Sequence, residues 1–154
     1  MTRNWMTTSI RVTVVLWFLV AGLAGLAGLA GADGELERTP APQGASVYLI
    51  APEDGAVVSS PVLIRFGLAG AGVAPAGVAN PKTGHHHLII DTELPPLDRP
   101  IPNDAQHRHF GGGQTEVLLE LEPGTHQLQL VLGDYLHIPH DPPLVSEPVT
   151  VTVE

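Results

Sequence analysis

The chain has 154 residues, eight of them His and none of them Cys, and its formal net charge is -9. This length allows one domain of ordinary size, and the 17 Gly and 15 Pro argue against a helical bundle or a long coiled coil. The acidic balance disfavours binding to nucleic acid or to anionic lipid. The absence of Cys excludes disulfides, thiolate zinc sites, iron–sulfur clusters and cysteine nucleophiles.

The first 32 residues have the layout of a secretory signal peptide. Arg3 and Arg11 both precede an uncharged apolar run over residues 12–29. This run is followed by the small-residue triplet at 30–32. We expect cleavage after Ala32, which predicts a periplasmic or secreted protein with no membrane insertion after cleavage. An uncleaved membrane anchor is the alternative, because the apolar run approaches the length that spans a bilayer.

Cleavage at this point would also remove every methionine. Met1 and Met6 are the two methionines of the chain, and both lie in the predicted signal peptide. Thioether and thiolate are the soft ligands that favour Cu(I). The composition of the mature chain therefore excludes a Cu(I) carrier.

After a polar leader over residues 33–44, the sequence predicts a single all-β domain over residues 45–154. Apolar and polar residues alternate in short segments that are separated by turn residues. In each strand we expect one buried and one solvent-facing side. The pattern indicates an immunoglobulin-like antiparallel β-sandwich of about seven strands with long loops. The clearest predicted strands cover residues 46–50, 61–68, 86–91, 116–122, 127–132 and 149–153.

Two predicted loops are unusually long for a compact domain. They cover residues 69–84 and 92–113, and loops of this length are often functional. The only helical pattern is a single turn over residues 103–107, with Asn103 or Asp104 as its cap. A run of three glycines at 111–113 has no following lysine and is not a phosphate-binding loop, so it is expected to allow a turn or a close backbone approach.

The histidines carry the main chemical signal, because all eight lie between positions 85 and 140. In an extended segment, residues i and i+2 point to the same side about 6.6 Å apart, so two histidines at this spacing can chelate one ion. Two such pairs, or one pair with a histidine from the loop after the penultimate strand, would supply three or four imidazoles. Imidazole ligands suit Cu(II) or Zn(II), and Cu(II) binds more tightly at equilibrium. The candidate metal ligands are His85, His87, His107, His109, His137 and His140.

Two other histidines are expected to be structural. His126 is in phase with the predicted core residues Leu128 and Leu130, and His86 shares the parity of Leu88. Asp134 and Asp141 flank the segment HIPH, where they are either acceptors that orient imidazoles or simple turn residues.

Little in the sequence supports catalysis. Lys82 is the single lysine, so the Lys-Thr-Gly string at 82–84 has no matching SxxK motif and does not indicate a β-lactamase. Three histidines with an open position are also the arrangement of catalytic zinc, so metal-dependent catalysis stays open. We expect a binding protein rather than an enzyme.

Three strings stand out as a set: GHHHLIID at 84–91, HRHFGGGQTE at 107–116 and HIPHDPP at 137–143. With their surroundings they resemble a family of small exported bacterial proteins classed as a domain of unknown function, over nearly all of residues 47–153. The resemblance supports these domain limits but does not indicate a particular activity. More loosely, APEDGAVVSSP at 51–61 is similar to the opening strand and turn of periplasmic copper-resistance sandwich proteins. This chain lacks their mature N-terminal His and their Met residues, so those copper sites do not carry over.

Together these patterns predict an exported β-sandwich that binds Cu(II) or Zn(II) through clustered histidines, as a carrier, buffer or sensor. Metal affinity should then fall as pH drops through the imidazole range near 6.5, because protons compete for the ligand nitrogens. The alternative is a non-enzymatic interaction module of the cell envelope, with a protein partner the sequence does not identify, whose histidines only brace loops.

Overall fold

The computed structural model describes residues 36–154, and every regular element in this part of the chain is a β-strand. The predicted signal peptide lies outside the described residues. Residues 36–154 contain no helix of the length and apolarity needed to span a membrane. The all-β fold class predicted from the alternation is confirmed. The strands are β1 (Ser46–Ala51), β2 (Ala56–Val58), β3 (Val62–Ala69), β4 (Gly72–Val73), β5 (Thr83–Ile90), β6 (His107–His109), β7 (Glu116–Leu119), β8 (Gly124–Gly133) and β9 (Val149–Val153).

The strands form two sheets that share one apolar core. The smaller sheet has the order β1-β3-β7, and the larger has the order β2-β9-β8-β5-β4, with β6 paired to β5. Side chains from both sheets meet in this main core, among them Ile64 and Phe66 from the smaller sheet and Leu88, Leu130 and Val151 from the larger. This is the sandwich architecture expected for an immunoglobulin-like domain. Two pairings, β2 with β9 and β4 with β5, are parallel, although an antiparallel arrangement was expected throughout.

Alternation along the strands decides which side chains enter this core. In β3, Val62, Ile64 and Phe66 are buried while Leu63 and Arg65 are exposed, as the period-two pattern predicts. Each large apolar side chain that is fully buried contributes roughly 1.5–3 kcal/mol relative to an exposed one. The main core therefore fixes the register of β3 against its neighbours, since a slip by one residue would exchange the two faces.

The prediction of one solvent-facing side is wrong for β5, in which every residue from Gly84 to Ile90 is buried. Leu88 belongs to the main core, whereas Ile89 packs with Ile101 and Val131 in a second apolar cluster. Because Ile101 comes from the loop after β5, that loop folds back over the outer face of the larger sheet. A strand covered on both faces needs no polar side, so Leu88, Ile89 and Ile90 follow one another without alternation.

The helical turn expected at residues 103–107 is absent. Instead the Asp104 side chain accepts hydrogen bonds from the backbone N–H groups of Gln106 and His107, each at 2.9 Å, and a bend leads directly into β6. Asp side chains commonly compete with helix formation through such local contacts. The residues expected to cap a helix therefore lie just before the strand instead.

Residues 38–41, which we call the strap, lie within the predicted polar leader and are bonded to the loop after β8. The backbone N–H of Ala41 donates to the carbonyl of Asp141 at 2.8 Å, and the N–H of Asp141 donates to the carbonyl of Thr39 at 2.9 Å. Arg38 Nε donates to the Pro139 carbonyl at 3.1 Å, and Arg38 Nη1 lies 3.2 Å from the Asp141 carboxylate. The strap and this loop therefore form one hydrogen-bonded layer.

Candidate metal centre

Strand β5 directs its three consecutive histidines to two different faces of the larger sheet. His86 shares the side of Leu88 and packs in the main core, with its ring centroid 5.2 Å from that of Phe66. His85 and His87 share the side of Ile89 and point to the outer face. The structural role expected for His86 agrees with this placement.

Strand β6 adds a third imidazole to the outer face. His109 is the cross-strand partner of His87 in the antiparallel β5–β6 pair. Residues directly opposite each other in such a pair project to the same face. The His109 ring centroid lies 5.0 Å from that of His87 and 5.0 Å from that of His85.

A fourth imidazole comes from the loop that follows β8. His137 has a φ of 68°, and its ring centroid lies 5.0 Å from that of His85, 4.8 Å from that of His109 and 6.0 Å from that of His87. Three separate chain segments thus converge on one point. We call this set the histidine cluster: His85, His87, His109 and His137.

The ring nitrogens of the cluster have a spacing that suits metal ligation. His85 Nε2 and His87 Nε2 lie 3.0 Å apart, and ligand atoms of His85, His109 and His137 all lie within 4.8 Å of one another. Nitrogens bound at about 2.0–2.1 Å are about 3.4 Å apart in a tetrahedron and about 2.9 Å apart when adjacent in a square plane. The spacing of the first pair falls between these two geometries, and the group of mutually close ligand atoms contains His85, His109 and His137 but not His87.

Several ring nitrogens of the cluster have no hydrogen-bond partner among the described residues. His85 Nδ1, His87 Nδ1 and His109 Nε2 are all buried and unpaired. A buried polar atom left unpaired costs about 1–3 kcal/mol. Of these three atoms, only His109 Nε2 would be bonded by a metal held through the Nε2 atoms of the cluster. His86 in the main core and His140 also have unpaired ring nitrogens, so this feature is shared by buried histidines outside the cluster.

Burial keeps these imidazoles in the neutral form that binds metal. Desolvation, assisted by the neighbouring imidazoles, lowers the pKa of His85 to about 4 and the pKa of His87 to about 2. Desolvation and then the nearby His137 lower the pKa of His109 as well. Neutral imidazole presents a free lone pair, so protons compete weakly with a cation at the two buried ligands.

Two glycines leave the space that the rings occupy. A Cβ atom on Gly133, the last residue of β8, would lie 2.9 Å from His87 Nε2 and 3.4 Å from the Cα atom of His137. A Cβ atom on Gly111 would overlap the imidazole ring of His109. The close approach expected for the glycine run therefore occurs beside the cluster. Sequence reasoning missed Gly133, since a glycine at the end of a strand has the pattern of an ordinary turn residue.

The other two predicted ligands lie apart from the cluster. His107 is paired with Ile89, which lies two residues after His87 in β5. The Nδ1 atom of His107 lies 2.9 Å from Asp104 Oδ1. His140 is fully buried with its Nδ1 3.4 Å from the Leu132 carbonyl, and its ring lies against Gly84 on the side that faces the main core. The structure thus brings together four of the six histidines predicted as ligands.

His126 also lies outside the cluster and has protein partners for both ring nitrogens. Its Nδ1 lies 2.7 Å from Asp91 Oδ2, and its Nε2 lies 2.8 Å from the Glu122 carbonyl oxygen. The side-chain bond to Asp91 is the main cause of a raised pKa for His126. The structural role expected for this residue agrees with these contacts, although the side chain is half-buried rather than part of the core.

Comparison with protein families gives a match over residues 64–154 to a family described as Domain of unknown function (DUF4399). The chain belongs to this family. The resemblance to a domain of unknown function is thereby confirmed, and the matched region contains all four cluster histidines of this DUF4399 domain. The looser similarity to copper-resistance proteins stays an expectation.

Further comparisons add little about function. No curated protein matches the chain. Among solved structures, the chain is similar to the fibronectin(III)-like modules of Clostridium thermocellum CbhA, at 17% sequence identity and a TM-score of 0.36. The match covers 71% of this chain and 45% of the CbhA chain, so this chain spans less than half the length of the CbhA chain.

Proposed function

We propose that this DUF4399 protein binds one divalent transition metal ion, Cu(II) or Zn(II), at the histidine cluster, and that it acts as a carrier, buffer or sensor outside the cytoplasm. The observation that carries the proposal is the convergence of four imidazoles from three chain segments, with the Nε2 atoms of His85 and His87 3.0 Å apart and the buried Nε2 atom of His109 unpaired. The predicted signal peptide supports the proposed location.

The ligand set favours Cu(II) over Zn(II) where both are available. All four groups are neutral nitrogen donors, and affinity for such sites rises along the first-row metals to a maximum at Cu(II). Ligand atoms of three of the four, His85, His109 and His137, lie within 4.8 Å of one another, and His87 Nε2, 3.0 Å from His85 Nε2, would be the fourth. A shell filled by four protein ligands would favour binding and transfer of a metal over catalysis, which needs an open position for substrate.

The test is metal uptake by mature protein purified without an affinity tag, since a tag would add its own histidines. We expect about one Cu(II) or Zn(II) per chain in elemental analysis and saturable binding in a competition titration. Replacing one cluster histidine, as in His109→Ala, should weaken binding at least tenfold, whereas His107→Ala should leave it unchanged. His107 is the matched control because it lies on the same short strand with its ring turned to Asp104.

Absence of saturable uptake by the wild-type protein would overturn the proposal. Equal losses for His109→Ala and His107→Ala would overturn the assignment to this cluster. In the first case the interaction module, with histidines that only brace loops, becomes the better account of the protein.

A further inference from the structure

The loop that carries His137 is closed by one buried carboxylate. Asp134 directly follows β8 and is only 1% exposed. Its Oδ1 atom accepts hydrogen bonds from the backbone N–H groups of Leu136 at 2.8 Å and Ile138 at 3.0 Å. Its own N–H donates to the Ile138 carbonyl at 2.9 Å, and its carbonyl accepts from the His137 N–H at 2.9 Å. Asp134 thus bonds to backbone groups of Leu136, His137 and Ile138, that is, of His137 and the residue on either side of it.

This clamp holds His137 in a conformation that the loop would not keep unaided. The φ of 68° at His137 lies in the left-handed region, which is unfavourable for a residue other than glycine. The bonds from Asp134 offset that cost, and a further bond from the Ile101 N–H to the His137 carbonyl at 2.9 Å adds to them. The direction of the His137 ring therefore depends on the loop remaining closed.

Asp134 is itself held by the strap. Thr39 Oγ1 donates a hydrogen bond to Asp134 Oδ2 at 2.6 Å, so both carboxylate oxygens are engaged. The backbone of Thr39 is fixed in turn by its bond from Asp141. A chain of contacts therefore runs from the strap through the carboxylate to the imidazole of His137.

We propose that Asp134, fixed by Thr39, is a positioning residue for the metal ion: it directs His137 toward the cluster. This inference rests on the proposed function. Partners that orient a metal-binding histidine through its ring nitrogen typically contribute 10–100-fold to metal affinity. Asp134 orients His137 through its backbone, so we expect an effect toward the lower end of that range.

The experiment is a double-mutant cycle on metal affinity in the full mature chain, with Cu(II) and Zn(II) as probes. We expect Asp134→Ala to weaken binding by about tenfold. In the His137→Ala background the same change should cost markedly less, because its effect through His137 is already lost. Asp104→Ala is the matched control: Asp104 makes the same kind of backbone clamp beside His107, and its removal should leave affinity unchanged.

Three further variants test the contacts of Asp134 and guard against misfolding. Asp134→Asn keeps an oxygen for the loop N–H groups and loses the charge, so its effect should be smaller than that of Asp134→Ala. Thr39→Val should weaken binding, and Thr39→Ser, which retains the hydroxyl, should restore it. The electron paramagnetic resonance spectrum of bound Cu(II) should shift in Thr39→Val and return toward the wild-type spectrum in Thr39→Ser.

The possible outcomes are distinct. Unchanged affinity in Asp134→Ala, or an equal loss with and without His137, overturns this inference while the proposed function stands. A loss in Thr39→Val that Thr39→Ser does not restore overturns the link through the strap. Failure of the wild-type chain to bind either metal overturns the proposed function and this inference with it.

Discussion

At the scale of single residues, parity along β5 separates two kinds of histidine within one tripeptide. His85 and His87 meet other imidazoles on the outer face, while His86 between them packs against Phe66 in the main core. The residue type is the same at the three positions, so the difference comes from the face of the sheet to which each side chain points. A histidine in an apolar core and a histidine in a cluster of imidazoles respond differently to pH and to substitution.

The buried His86 makes stability depend on pH. Burial lowers the pKa of His86 to about 4 in the folded protein, against 6.5 for an ordinary histidine. Between these values the unfolded chain binds the proton and the folded chain does not, so stability falls as pH drops from 6.5 toward 4, by up to about 3 kcal/mol from this residue.

The measurement is urea unfolding of metal-free protein at pH 7.5 and pH 5. His86→Leu places an apolar side chain that does not titrate in the core. This variant should lose less stability on acidification than the wild type does. His126→Gln is a control of opposite sign, because Asp91 raises the pKa of His126 and its stabilisation is present at low pH and lost as pH rises. An identical pH response in the wild type and His86→Leu would contradict the prediction.

The adjacent glycines Gly111 and Gly112 allow a test of the space beside His109. A Cβ atom at Gly111 overlaps the His109 ring, whereas at Gly112 it meets only the flexible end of the Gln114 side chain at 3.1 Å. We therefore expect Gly111→Ala to weaken Cu(II) binding at least tenfold in a competition titration and Gly112→Ala to change it little. Equal affinities of the two variants would show that the His109 ring is not a ligand in this position.

At the scale of elements, the outer face of the larger sheet is divided between apolar and imidazole side chains. Ile89, Ile101 and Val131 form the second apolar cluster, and the histidine cluster continues the same face toward the other end of β5. The loop after β5 contributes Ile101, whose N–H also bonds to the carbonyl of His137. The apolar cluster therefore anchors loops that carry or contact residues of the histidine cluster.

Truncating Ile101 should loosen this anchoring. Replacing a buried isoleucine by alanine removes apolar contacts and leaves a cavity, which costs about 2–5 kcal/mol. We expect Ile101→Ala to lower the free energy of urea unfolding by an amount in that range. The exposed Ile50 is the matched control, and Ile50→Ala should change stability by less than about 0.5 kcal/mol. Similar losses in both variants would argue against a second core.

The strands that share the main core could be predicted from sequence. In β3, β8 and β9, apolar and polar residues alternate, and this alternation indicates a strand with one buried side. The two-residue β4 and the HRH strand β6 could not, since neither is long enough to show a period. The spacing of His85 and His87 predicted a shared face correctly. The separation of His107 and His140 from the cluster depends on cross-strand register and loop path, which one sequence does not encode locally.

At the scale of the whole molecule, metal binding and folding stability are linked. A metal that binds the folded chain alone stabilises it by about 2.7 kcal/mol at a free concentration 100 times the dissociation constant. We expect Cu(II) to raise the Tm of the wild-type protein in a thermal melt. His137→Ala should show a smaller rise, and His107→Ala the full one. Stabilisation that is equal in all three proteins would indicate binding elsewhere.

The pH range of metal release follows from the same burial. An ordinary imidazole site loses metal as pH falls through about 6.5. Because the pKa is lowered to about 4 at His85 and to about 2 at His87, protons displace the metal from this pair only at lower pH. We expect dialysis against buffers from pH 7.5 to pH 4 to show metal retained below pH 6. Complete release at pH 6.5 would contradict burial of the two ligands.

The contact between the strap and the loop after β8 also orders events in time. Thr39 and Asp134 are 95 residues apart in sequence, so nearly the whole domain must emerge from the ribosome or a translocation channel before they can meet. Closing such a long stretch of chain is slow compared with forming local turns. The proposed metal site should therefore be completed only after the chain is released, and a partly emerged chain would present the β5 histidines without His137.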